Sequence, residues 1–212
     1  MIKKIINFDK IITYDVKKND VIEIEANSII IENKLIKKIN DEDLAADEII
    51  DANGCILTPG FIDSHSHLIF SSNRSKDFES RINGLDYLNI AASGGGIKST
   101  IKSLRQTSKE ELLEQCQKYL DNIIKSGTTT IEVKSGYGLD MENEIKSLEV
   151  VRELDEKNHI DLVPTFMGAH DFPINMKPDS YVDLICNEMI PEVSNRDLAE
   201  FCDIFFEEGY YN

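Results

Sequence analysis

Two of the chain's four histidines stand as His65-Ser66-His67. In an extended strand, residues i and i+2 project to the same side. Two imidazoles at this spacing can therefore chelate one metal ion from one strand. Imidazole nitrogen suits Zn2+ and also iron. The pair follows Phe61-Ile62-Asp63, at the C-terminal end of a candidate strand, where β/α barrels gather their active-site groups. The competing reading is a chance pair of surface histidines.

Other residues carry chemistry only if the fold brings them near that pair. His170, in Gly168-Ala169-His170, closes another candidate strand and on its own is equally a structural histidine. Arg74 lies seven residues after His67 and taken alone reads as an exposed arginine, while Tyr87 and Tyr137 read as packing. Gly94-Gly95-Gly96 lacks the Lys-Ser/Thr ending at the spacing of a nucleotide-phosphate loop. It reads instead as a loop that approaches a ligand closely. Lys134 ends a strand, and His159 sits beside charged residues and reads as surface.

The elements that must position these groups change character along the 212 residues. Residues 1 to about 58 read as all-β. Ile22-Glu-Ile-Glu-Ala alternates apolar and polar side chains, and Ile29 to Ile31, Glu32-Asn33-Lys34 and Leu35-Ile36 read as a hairpin. Asp51-Ala-Asn-Gly54 is a further turn. After Pro59-Gly60, strands alternate with helices, which implies a parallel sheet. Strands are expected around Phe61-Ile62, over Thr128 to Val133, over Ile160 to Met167 and over Asp203 to Phe206. Ser108 and Glu111 form a capping box ahead of Leu112, Leu113, Cys116, Tyr119, Leu120, Ile123 and Ile124 at helical spacing, closed by Gly127. Asp140 caps a second helix; Glu142 and Glu144 suit its first turn, and Ile145, Leu148, Val151 and Leu154 form its buried stripe. A third helical stretch is expected over Asn195 to Cys202. About four β/α units result, whereas a complete eight-fold barrel needs ~250 residues. The expected fold is α/β: a partial (β/α)8 TIM-type barrel over 59–212. A small all-β segment over 1–58, part of a composite β-sandwich, precedes it.

Hydrophobic residues make up 41% and charged residues 29%, the balance of a soluble globular chain. No apolar run approaches the ~18 residues of a membrane span. The N-terminus has lysines but no long apolar region and no small-residue cleavage site, so it reads as mature, cytoplasmic protein. The net charge of −16 argues against nucleic acid and anionic membrane surfaces. An anionic small molecule would need a local cation to hold it. Cys55, Cys116, Cys186 and Cys202 form no CxxC pair and read as reduced, mostly buried thiols.

Pro59-Gly60-Phe61-Ile62-Asp63-Ser64-His65-Ser66-His67 resembles the first-strand signature of the metal-dependent amidohydrolases. Four further segments, in order, narrow the resemblance to the imidazolonepropionase family, N-terminal half. They are Ser93-Gly-Gly-Gly-Ile-Lys-Ser-Thr100, Glu132-Val-Lys-Ser-Gly-Tyr-Gly-Leu-Asp140, Thr165-Phe-Met-Gly-Ala-His-Asp171 and Phe201-Cys-Asp-Ile-Phe-Phe-Glu-Glu-Gly209. The resemblance implies hydrolysis of the cyclic amide C–N bond of 4-imidazolone-5-propanoate to N-formimidoyl-L-glutamate, a step of histidine degradation. It implies one Zn2+ or Fe ion, with His65 and His67 as two ligands; such an ion polarises the ring carbonyl and acidifies water. His170 matches a group that touches substrate near the metal, there to hydrogen-bond it or to stabilise a developing oxyanion. Arg74 matches the clamp for the substrate carboxylate, and Tyr87 and Tyr137 match further substrate contacts. One metal leaves no bridging role for Lys134.

The family's third metal histidine, its metal aspartate and its His-Ala-Asp-Glu segment fall on later strands, and no segment here matches them. A C-terminal half-chain or a homo-oligomer would have to cover the open sheet edges. The competing readings are a non-catalytic fragment or pseudo-enzyme, and another amidohydrolase such as a deaminase. Arg74 and Lys134-Ser-Gly-Tyr137 speak against the last.

Overall fold

The computed structural model describes residues 1–41, 44–86, 89–90 and 93–211. They form two units, Met1–Gly60 and Phe61–Asn212. The first contains seven strands: β1 (Ile2–Ile6), β2 (Lys10–Asp15), β3 (Asp20–Ile24), β4 (Ser28–Glu32), β5 (Leu35–Ile39), β6 (Glu48–Asp51) and β7 (Ile56–Leu57). They make two sheets, ordered β5-β4-β1-β6 and β3-β2-β7. The hairpin expected around Asn33-Lys34 is β4–β5. Both turn residues lie in the left-handed region, at φ 52° and 67°, as a two-residue turn that matches strand twist requires. Phe8, Ile11, Ala26 and Ile29 form this unit's core.

The second unit is built on four parallel strands: β8 (Phe61–Ser66), β9 (Thr128–Lys134), β10 (Asp161–Ala169) and β11 (Phe201–Ile204). Their order is sequential, β8-β9-β10-β11, so each helical crossover returns the chain to the neighbouring position. Helices α1 (Ser75–Ile82), α2 (Ile97–Gln106) and α3 (Lys109–Lys125) lie between β8 and β9, and α4 (Met141–Lys157) between β9 and β10. Between β10 and β11 run α5 (Pro178–Leu184), a π-helical segment (Ile185–Met189) and α6 (Ile190–Asn195). Pro191 has no N–H to continue the regular ladder, and the chain widens into the π turn just before it.

The start signals of α3 and α4 act as the sequence reading expects. The Ser108 hydroxyl accepts from Glu111 N–H while the Glu111 carboxylate accepts from Ser108 N–H. Asp140 accepts from Asn143 N–H. Leu112, Cys116 and Leu120 of α3 meet Ile131 and Val133 of β9 and Val151 and Leu154 of α4 in one core. A second core joins Leu148, Phe166, Tyr181, Met189 and Leu198.

Two expectations are corrected. The third helix does not cover Asn195 to Cys202: it ends at Asn195, Asp197 turns at φ 51°, and Phe201 and Cys202 already belong to β11. The helical residues lie upstream, from Pro178. The four thiols are free as expected, but only Cys116 is buried; Cys55, Cys186 and Cys202 are exposed. The outer strands each pair on one side, leaving Phe61, Ile62, Phe201 and Ile204 exposed.

Candidate active site

The C-terminal ends of β8, β9 and β10 converge. His65 lies in β8 and His67 just beyond it; Tyr137 is three residues past β9, and His170 one residue past β10. The His67 and His170 rings stack with centroids 4.5 Å apart and planes 9° from parallel. Tyr137 leans on both, at 5.1 Å from His67 and 5.3 Å from His170. The His65 ring stands edge-on to His67 at 6.1 Å. The Arg74 guanidinium carbon lies 5.8 Å from the Tyr137 ring centre, a cation–π distance, and its Nε donates to Thr100 Oγ1 at 3.0 Å. Five of the six expected site residues thus share one neighbourhood. The sixth, Tyr87, lies outside the described residues.

Burial sets the electrostatics here. It pulls the His67 imidazole down to about 4, helped by His170 and His65, so the ring is neutral and can act as a ligand. His170 is also lowered by burial, against the opposing pull of its bond to the Gly136 carbonyl. The Tyr137 hydroxyl is raised by burial despite Arg74. His67 Nδ1 is buried without a hydrogen-bond partner. A buried ring nitrogen left unpaired costs free energy, and metal ligation relieves that cost. The donor set therefore fits an ion in part: two imidazoles from one strand end, one with an orphaned nitrogen. Among the described residues no group of three His, Cys, Asp or Glu side chains could hold a metal.

Below these rings runs a polar layer that the sequence reading did not identify. Lys134 is buried and pairs with Glu132 Oε1 at 2.6 Å and Asp203 Oδ2 at 2.8 Å. Thr165 Oγ1 also donates to Glu132 Oε1, at 2.7 Å. The layer ties β9, β10 and β11 together. Burial pulls the Lys134 ammonium down, but its bonds to Asp203 and Glu132 outweigh it and hold the group charged. The period-two spacing of Glu132 and Lys134 was the available signal.

Glu144 departs from the role that its first-turn position suggests. It occupies the first turn of α4, yet its carboxylate folds back, fully buried, onto the loop after β9. Oε2 accepts from Gly136 N–H at 3.0 Å, and Oε1 accepts from Gly138 N–H at 2.7 Å and Leu139 N–H at 2.9 Å. Arg105 closes the far side of this loop by donating to the Gly138 and Leu139 carbonyls. The glycines at 94–96 make their close approach to α1. Gly96 N–H donates to Asp77 at 2.8 Å, and a Cβ on Gly95 would lie 2.5 Å from Asp77 Oδ1. His159 is exposed, as expected.

No family model matches the chain. Among curated proteins it is 48% identical over 165 residues to the imidazolonepropionase of Alkaliphilus metalliredigens, covering 77% of this chain and 39% of that protein. It is 45% identical over 206 residues to the imidazolonepropionase of Brevibacillus brevis and 44% over 206 to that of Geobacillus kaustophilus, each covering 92% of this chain and 49% of the other. The chain spans about half the length of the curated relatives it matches. Among solved structures, a prolidase complexed with N-methylphosphonate-L-proline superposes with a TM-score of 0.54 at 14% identity, over 91% of this chain and 44% of that one. A triazine hydrolase from Arthrobacter aurescens does so at 0.51 and 16%, over 88% and 42%. At these identities the structures show the fold alone, a mixed α/β fold with a curled parallel sheet.

Proposed function

We infer that this chain, akin to the imidazolonepropionases over the half of their length that it spans, carries the substrate-gripping half of such an enzyme. The reaction is hydrolytic opening of the cyclic amide C–N bond of 4-imidazolone-5-propanoate, yielding N-formimidoyl-L-glutamate. The observation that supports it is the convergence of His65, His67, Tyr137 and His170 at the ends of three parallel strands, with Arg74 against Tyr137. In this reading 59–212 is the first half of a (β/α)8 barrel and 1–58 is part of a β-sandwich.

His65 and His67 would hold one Zn2+ or Fe ion. When bound, the ion supplies Lewis-acid polarisation of the ring carbonyl and acidification of water. This chain's own residues do the rest of the gripping. Arg74 pairs with the propanoate carboxylate, a charge-assisted contact that a chain of net charge −16 needs a local cation to make. Tyr137 packs its ring along the substrate, with Tyr87 as a second contact. His170 hydrogen-bonds the substrate beside the metal-side histidines. The remaining groups belong to the other half of the fold, supplied by a C-terminal half or a further copy. The proposed work is cytoplasmic, in keeping with a step of histidine degradation. Among the described residues no helix is long and apolar enough to cross a membrane.

The test joins this chain to the part of the Brevibacillus brevis enzyme that it does not match. Ring opening of 4-imidazolone-5-propanoate and bound metal are measured before and after His67→Ala. Metal-dependent ring opening lost on His67→Ala is the expected result. A folded chimera that neither holds metal nor opens the ring sinks the reading.

A further inference from the structure

Glu144 makes no contact with the ring cluster, yet its bonds lead to it in two steps. Its carboxylate collects the N–H groups of Gly136, Gly138 and Leu139, and so fixes the peptide planes of the loop that carries Tyr137. The Gly136 carbonyl lies 3.0 Å from His170 Nδ1. Gly136 sits at φ +106°, and a Cβ there would stand 2.8 Å from His170 Cβ and 2.7 Å from the Met167 carbonyl. The loop is thus pressed against the end of β10, and only glycine permits the approach. Ser135 Oγ anchors the same contact by accepting from Met167 N–H at 2.9 Å.

A carbonyl oxygen only accepts, so the nitrogen facing it must carry the proton. We propose that Glu144 is a positioning residue that, through the Gly136 peptide, holds His170 with its proton on Nδ1 and presents Nε2 to the site as an acceptor. This rests on the reading of His170 as a site group and sharpens its role. A neutral His170 receives a hydrogen bond at Nε2, from a ring N–H of the substrate or from water. It does not donate one to a developing oxyanion.

The test is nitrogen-edited NMR of the histidine rings in the full 212-residue chain, at alkaline pH where imidazole is neutral. Loss of one set of signals in His170→Asn assigns the ring. Wild type is expected to show a single tautomer, protonated at Nδ1. Glu144→Gln turns an amide N–H2 towards backbone donors, so the Gly136 peptide shifts and the single-tautomer signature is lost, while thermal unfolding stays cooperative. Glu144→Asp keeps the carboxyl group but cannot reach all three N–H groups, and gives a partial loss. An Nε2-protonated wild-type ring overturns the proposal. So does an unchanged tautomer in a folded Glu144→Gln chain, and so does failure of both variants to fold, which would make Glu144 a folding residue only. None of these readouts depends on hydrolysis, so the proposal fails or stands apart from the proposed activity.

Discussion

Lys134→Met removes a buried ammonium from between two carboxylates while keeping the volume of the side chain. Lys134 is 5% exposed, Glu132 19% and Asp203 39%. Removing one partner of a buried pair costs ~3–5 kcal/mol, because the other charge is left uncompensated. Asp203 is open enough to water that its share falls to ~0–1 kcal/mol. Glu132 keeps its bond from Thr165, which places its share at the low end. The expected loss is about 3 kcal/mol. At ~2–4 °C per kcal/mol for a unit of this size, the midpoint drops by roughly 6–12 °C. Thermal and urea unfolding, followed by circular dichroism on wild type and variant, measure it. Adding Glu132→Gln to Lys134→Met should recover part of the loss, since the orphaned carboxylate is then gone. A loss under ~1 kcal/mol, or no recovery in the double variant, refutes the view that this layer ties the strands together through charge.

Two further outcomes follow from single side chains. Burial pushes the Cys116 thiol up to about 11 from its ordinary 9.0. The unfolded chain releases that proton first, so unfolding releases a proton between those values and stability falls as pH rises through the window. The fall is at most ~2.7 kcal/mol from this group; denaturant midpoints against pH should flatten there in Cys116→Ala, and an unchanged slope counts against burial as the cause. In the chimeric enzyme, Arg74→Ala should raise KM for the carboxylate substrate roughly 10- to 150-fold, the worth of a charge-assisted hydrogen bond of ~1.5–3 kcal/mol; an unchanged KM removes Arg74 from the carboxylate.

What was legible in the sequence was local. The capping box at Ser108 and the Asp140 cap mark α3 and α4 because short side chains satisfy backbone N–H groups at fixed offsets. The β-branched run from Thr128 marks β9. Helix α2 and the helical segment from Pro178 to Asn195 escaped: α2 opens on Gly96 with no side-chain cap, and Lys177 caps nothing before α5. In the site, His65 and His67 announced themselves by a two-residue spacing. Glu144 did not, because a first-turn carboxylate normally serves its own helix. Its true partners, Gly136, Gly138 and Leu139, precede the helix on a loop whose path only the fold determines. The Lys134 layer was hidden for a related reason: Asp203 lies 69 residues away, and nothing local links the two.

The same distinction separates His67, Tyr137 and His170 from His65. The rings of His67, Tyr137 and His170 are seated by elements entirely within the chain: the Glu144-moulded loop, the Ser135 anchor on β10, and Cys116 of α3, whose thiol donates to the Leu68 carbonyl just past the histidine pair. His65 has none of this support. It lies on an outer strand whose residues Phe61 to His65 are all exposed, and its neighbours in the cluster touch it edge-on only. A strand paired to the free side of β8 would bury Phe61 and Ile62 and stiffen His65, without having to rebuild the His67–Tyr137–His170 stack. The His67–Tyr137–His170 stack is therefore set by packing within this unit, whereas the position of His65 is not.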